Sequence, residues 1–142
     1  MSGVAQSPAR VARDQVPLAE LRRLSDQARE LIVRSIHTAG AGHLGGPLSA
    51  TDLLVSLYFD RLNIDPARPR AEDRYRFILS KGHSSIALYV VLALRGYFPI
   101  DELATFDQID SRLQGHPDMT KLPGLDMSTG SLGQGLSAGI GM

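Results

Sequence analysis

Apolar side chains return every third or fourth position from Leu18 onward: Leu21, Leu24, Ala28, Leu31 and Ile32, continued by the small Ser35, with Arg22, Arg23, Asp26, Arg29 and Glu30 mostly opposite. This 3.6-residue period predicts a long amphipathic helix over residues 18–38, with Pro17 suited to its first turn. Ser49 stands three residues before Asp52, a capping box ahead of Leu53, Leu54, Leu57 and Tyr58, so a second helix is expected to end near Arg61. Arg76-Phe77-Ile78-Leu79 is short, aromatic and branched, and predicts a strand. Residues 86–94 are apolar on nearly every side, which predicts a helix buried on several faces and closed by Gly96. Pro99 opens a short helix that stops near Asp107, with Asp101 and Glu102 at the positive end of its dipole. A last helix is predicted from near Ser131, where Gly135 and Gly139, one turn apart, admit close approach of a neighbouring backbone.

Between these elements the pattern breaks. Residues 1–16 carry no periodicity and read as a disordered leader, which leaves residues 17–142 as the domain. Residues 39–47 hold four glycines and one proline and predict neither helix nor paired strand. Such a loop suits a helix terminator followed by a turn, or a place where something approaches the main chain closely. Residues 63–71 read as a spacer, and residues 111–128 as a long irregular stretch of the kind that is functional or disordered. The fold class is therefore α/β, mostly helical with one clear strand. A lone strand leaves its N–H and C=O groups unpaired. The chain is thus expected to be the opening part of a larger α/β domain, or one whose sheet another chain completes, and not to fold stably by itself.

Composition narrows the partners. Lys+Arg and Asp+Glu are each 15 in 142 residues, so no net field favours nucleic acid or an anionic membrane, and small molecules or protein are expected instead. The absence of cysteine excludes disulfides and thiolate chemistry and suits a reducing cytoplasm. No apolar run reaches the roughly 18 residues of a membrane span. Without tryptophan, and with 6% aromatic residues, stacking surfaces for single-stranded nucleic acid are not expected.

The candidate chemistry gathers where glycine meets histidine. Ser80-Lys81-Gly82-His83-Ser84-Ser85 joins the predicted strand to the buried helix. A helix start offers free N–H groups and partial positive charge to an anion, and Lys81 and His83 add donors, so the turn reads as a phosphate seat or as a plain connection with a surface lysine. Of the four histidines, His37 lies within the first helix and is expected to be partly exposed and without function. His43, His83 and His116 each follow a glycine in an irregular segment. Imidazoles that both donate and accept suit the orientation of hydroxyl and phosphate groups, and the spacing of a zinc site is absent.

Four blocks together, Ala41-Gly42-His43-Leu44-Gly45-Gly46, Leu79-Ser80-Lys81-Gly82-His83, Leu113-Gln114-Gly115-His116-Pro117 and Ser128-Thr129-Gly130-Ser131-Leu132-Gly133-Gln134-Gly135, resemble the start of transketolase, a thiamine-diphosphate enzyme. The form of the motifs is most similar to split transketolases, whose amino-terminal half is a separate polypeptide. The resemblance implies the amino-terminal portion of a thiamine-diphosphate-binding domain, the diphosphate-binding type of the transketolases. It implies transfer of a two-carbon ketol unit from a ketose to an aldose, on a sugar or sugar phosphate. By it, His83 would contact the cofactor's diphosphate, and His43 and His116 would serve catalysis at the mouth of the site by bonding ketose oxygens and assisting proton movements. Gly130, Ser131 and Leu132 would lie along the cofactor rings, while ordinary core packing remains a further role open to Leu132. Leu44 stands where transketolases usually have proline, and Gly130-Ser131-Leu132 where many single-chain members have Gly-Pro-Leu. Both departures bear on substrate preference more than on cofactor binding. The family's magnesium motif would come after Met142, and its cofactor-activating glutamate would belong to a carboxyl-terminal transketolase subunit or second protomer. The isolated chain is accordingly expected to be inactive. A non-catalytic interaction module that pairs with a transketolase-like subunit is the other reading.

Overall fold

Pro17 begins the first helix, because its carbonyl accepts from the N–H groups of Glu20 and Leu21 at 2.9 and 3.1 Å. Helix α1 runs Leu18–Ala39 and buries Leu24, Ser25, Ala28, Ile32 and Ser35 on one stripe. It ends at Gly40, whose φ of 66° suits a residue without a side chain and turns its N–H back to Ile36 and His37. These coordinates are a computed structural model that describes residues 15–142. All but the last two residues of the expected leader fall outside the described residues, and the Val16 N–H donates to Asp60 Oδ1 at 3.2 Å.

Helix α2, Gly45–Ser56, starts four residues before the expected capping box. Gly45, Gly46 and Pro47 form its first turn, where N–H groups have no partner within the helix, so the missing donor of proline costs nothing. Ser49 is already inside the helix and donates back to the Gly46 carbonyl at 2.9 Å, while Asp52 pairs with Arg29 of α1 at 2.6 Å. Residues Leu57–Arg61 continue as a single π turn, with the Leu62 N–H reaching the Leu57 carbonyl at 2.7 Å.

Helix α3, Ser85–Arg95, is the centre of the molecule: every residue from Ser85 to Ala93 is buried, and Gly96 closes it at a φ of 90°. It packs against α1, α2 and the 3₁₀ turn Ile100–Thr105. Phe98 just before that turn, Leu103 within it, and Phe106, Leu113, Leu122 and Leu125 after it complete the core.

The expected strand is not formed. Among the described residues there is no strand: residues 76–79 carry no regular structure, since no second strand stands there to pair with them. Their polar groups are met otherwise: the Phe77 N–H donates to the Asp126 carboxylate at 2.8 Å, and the Ser80 carbonyl accepts from Gly133 at 3.0 Å. Helix α4, Gly135–Gly141, begins four residues later than predicted, after a turn through Gly133 at a φ of 86°. The close neighbour expected at Gly135 and Gly139 is this segment. A Cβ on Gly135 would lie 2.8 Å from both Ile78 and Ser80, and one on Gly139 3.6 Å from Ile78.

Candidate functional site

Four loops meet where α2 and α3 begin. Gly42, at a φ of 125°, lays the first loop against Ile36 and Phe106; a Cβ there would stand 3.3 and 3.4 Å from them. The next residue, His43, is exposed, and its ring lies 5.1 Å from that of His83, tilted by 51°. His83 is the middle residue of the 3₁₀ turn Gly82–Ser84, which leads directly into α3.

Gly82 is where two backbones touch. A Cβ at this buried residue would stand 2.6 Å from the Thr129 carbonyl oxygen and 2.8 Å from Gly130 Cα. Gly130 in turn faces His116, whose Cδ2 would lie 3.7 Å from a Cβ on it. The contacts thus run without a break from His43 to His83, across Gly82 to Gly130, and on to His116. Ser131 and Leu132 follow on the same loop, and Leu132 is 70% exposed within this chain. His37 is not in this group: it lines an apolar hollow on the outer side of α1 with Val33 and Leu48.

The loops are held by polar side chains that the motif reading did not single out. The Ser80 hydroxyl accepts from the Gly135 N–H at 2.9 Å, which fastens the glycine-rich loop to the turn beside it. Asp118 accepts from the Thr120 N–H and hydroxyl at 2.9 and 2.7 Å, and Ser128 donates to it at 3.4 Å. The Thr120 hydroxyl, foremost among these contacts, holds the Asp118 carboxyl below the usual carboxylate range. Met119 N–H donates to Ser128 at 3.0 Å, and Thr129 N–H to the Pro117 carbonyl at 3.3 Å, so the His116 loop and the Gly130 loop form one unit. The acidic residue two before a threonine is the local pattern of an Asx turn, and that signal was present at Asp118. Ser80 stood in the predicted phosphate-seat turn, but no local pattern announces its bond to Gly135.

Lys81 completes the set. Its Cε and Nζ would lie 3.2 and 3.4 Å from a Cβ on Gly46, which places the ammonium over the first turn of α2. Among the described residues, neither Lys81 nor the three imidazoles is in an ion pair. The hydroxyl of fully buried Ser84, 2.6 Å from the same point on Gly46, has no hydrogen-bond partner among the described residues. An ammonium, a helix start and imidazoles, none of them in an ion pair among the described residues, are a donor set that fits a phosphate-bearing anion. Among the described residues no three of His, Asp and Glu converge as a metal site would require.

Comparison with known proteins agrees with this chemistry. Residues 21–142 match the family model described as transketolase, thiamine diphosphate binding domain. The chain is 46% identical over 123 residues to 6-deoxy-6-sulfo-D-fructose transketolase subunit SqwG of Clostridium sp. (strain MSTE9), covering 87% of this chain and 45% of that protein. With one of the subunits of the apulose-4-phosphate transketolase of Phocaeicola vulgatus it shares 41% identity over 128 residues, covering 90% of this chain and 44% of that protein. It therefore spans somewhat less than half the length of these relatives. Among solved structures, transketolase from Leishmania mexicana superposes with a TM-score of 0.82 at 29% identity, over 90% of this chain and 19% of that one. The histidine-bearing loops and the helices that carry them belong to a transketolase thiamine diphosphate binding domain, and the chain is a member of that family.

Proposed function

We propose that the chain furnishes the diphosphate-binding side of a transketolase-type active site in the cytoplasm. It acts with a carboxyl-terminal transketolase subunit or second protomer, and its substrates are sugars or sugar phosphates. One observation carries the reading: the run of contacts from His43 through His83 and Gly130 to His116, with the Lys81 ammonium beside Gly46 at the start of α2. Both relatives' names specify a sugar bearing an anionic group, which is the substrate class such a donor-rich surface suits.

In this reading, His83 donates to the diphosphate of the cofactor and Lys81 offsets its charge. His43 and His116, both exposed at the edge of the patch, bond the hydroxyl and carbonyl oxygens of a ketose and hold or pass the protons that move with them. Gly130, Ser131 and Leu132 lie along the cofactor's rings, with Gly130 beside His116. Bound thiamine diphosphate supplies the nucleophilic carbon and electron sink by which a two-carbon unit passes from ketose to aldose.

The test is to titrate thiamine diphosphate with magnesium into the chain alone and into the chain mixed with a partner half. Binding is expected to be weak in the first case and tight in the second, with ketol transfer only in the mixture. Tight binding by the chain alone would overturn the division of labour proposed here. A mixture that binds cofactor but transfers nothing would favour a non-catalytic interaction module.

A further inference from the structure

His116 reaches the patch from a loop without regular structure, yet the carbonyls of the three residues 114–116 are all bonded from beneath by one helix. Tyr89 Oη donates to the Gln114 carbonyl at 2.9 Å and lies 3.2 Å from that of His116, while Ser85 Oγ donates to the Gly115 carbonyl at 2.8 Å. Ser85 and Tyr89 are four residues apart on α3 and so lie one above the other on one face. From the other side, the Gly115 N–H donates to Asp107 Oδ1 at 3.1 Å, and the Asp107 N–H to the Leu113 carbonyl at 2.8 Å.

The placement along α3 gives this clasp its meaning. Ser85 is the first residue of the helix and stands two residues after His83. The 3₁₀ turn that carries one imidazole therefore runs straight into the helix that grips the backbone of another. Ser85 and Tyr89 are both fully buried; the sequence placed Ser85 only at the end of the phosphate-seat turn and gave neither hydroxyl a partner.

We infer that Ser85 and Tyr89 are positioning residues, which set His116 against His83 by holding the carbonyls of residues 114–116 to the start of α3. The inference rests on the proposed roles of the two histidines, but its geometric part stands without them. Sites supported by regular elements hold their side chains more precisely than loops do, and a misplacement of about 1 Å costs on the order of a hundredfold in rate. Packing alone does not require the phenol. The Tyr89 ring meets Phe106 edge-on at 6.3 Å, a contact that phenylalanine keeps.

The experiment compares Tyr89→Phe and Ser85→Ala with the parent by imidazole ¹H–¹³C NMR of the full chain. It adds steady-state kinetics with the partner half present. Both variants are expected to shift and broaden the His116 resonance while leaving that of His37 in place. In the kinetics, kcat is expected to fall about tenfold to a hundredfold, with the KM for thiamine diphosphate unchanged. Should Tyr89→Phe fail to fold, Ser85→Ala decides alone. An unmoved His116 signal, or equal movement of all four histidines, would overturn the inference, the second by showing a general loosening. A parent mixture without ketol transfer would count against the proposed function alone, since the NMR result is independent of turnover.

Discussion

At the scale of single residues, the three imidazoles differ in what surrounds them, and their variants should differ accordingly. His83 is half-buried on the turn that opens α3, whereas His116 is exposed and held through its backbone. A hydrogen bond to a charged group contributes about 1.5–3 kcal/mol, so His83→Ala should weaken thiamine diphosphate binding by roughly ten- to a hundredfold. His116→Ala should instead lower turnover by about a hundredfold or more and leave cofactor affinity near the parent's. Calorimetry and initial rates on the reconstituted enzyme separate the two effects, and equal losses from both variants would remove the assigned roles. The histidines were legible in the sequence because each follows a glycine in a stretch with no helical or strand period. The hydroxyls of Ser85 and Tyr89 were not, since their partners lie 30, 25 and 27 residues further along the chain and only the folded helix brings them together.

At the scale of elements, α1 and α3 were readable because period and punctuation agree: Pro17 and Gly40 bound one, and Gly96 closes the other. The start of α2 was misplaced because Gly45-Gly46-Pro47 reads as a breaker everywhere except in a first turn, where no intrahelical donor is needed. Residues 76–79 have the composition of a strand, but a ladder needs a second strand, which no local pattern can supply. What replaces the ladder is contact between glycine backbones and the segment around Ser80. That contact makes a paired prediction possible. Gly82→Ala puts a methyl 2.6 Å from the Thr129 carbonyl oxygen, where only backbone could give way, and should cost about 1–3 kcal/mol while moving Gly130 relative to His116. Gly45→Ala, with nothing within 4 Å, should be neutral or stabilising by up to about 1 kcal/mol. Thermal melts of the two proteins, run together, check this; equal melting temperatures would show that the seam between the two loops is looser than its geometry.

For the molecule as a whole, the question is what joins the irregular second half to the helices if no ladder does so. Apolar burial supplies part of the answer, with Leu113, Leu122 and Leu125 set into the core around α3. The directional part falls to Asp126, which is 6% exposed. Its carboxylate accepts from both terminal nitrogens of Arg74 and from the Phe77 N–H at 2.8 Å, and Arg76 stands at 3.6 Å. The Arg74 side chain is itself 9% exposed, and bonding to Asp126 raises its affinity for the proton further. A pair buried this deeply is not strongly stabilising by itself, because both charges lose hydration; the large penalty appears when one partner is removed and the other stays. Asp126→Asn should therefore cost about 3–5 kcal/mol, a large share of the roughly 5–15 kcal/mol that holds a domain folded. Replacing both partners, as Arg74→Met with Asp126→Leu, should cost clearly less than Asp126→Asn alone. Phe77 stands three residues before Ser80, to which Gly133 and Gly135 are bonded, so the single variant should also raise amide exchange at those glycines. Urea unfolding and hydrogen exchange on the parent, the single variant and the double variant decide it. A double variant as unstable as Asp126→Asn, with exchange at Gly133 and Gly135 unchanged, would mean that the apolar contacts alone join the two halves.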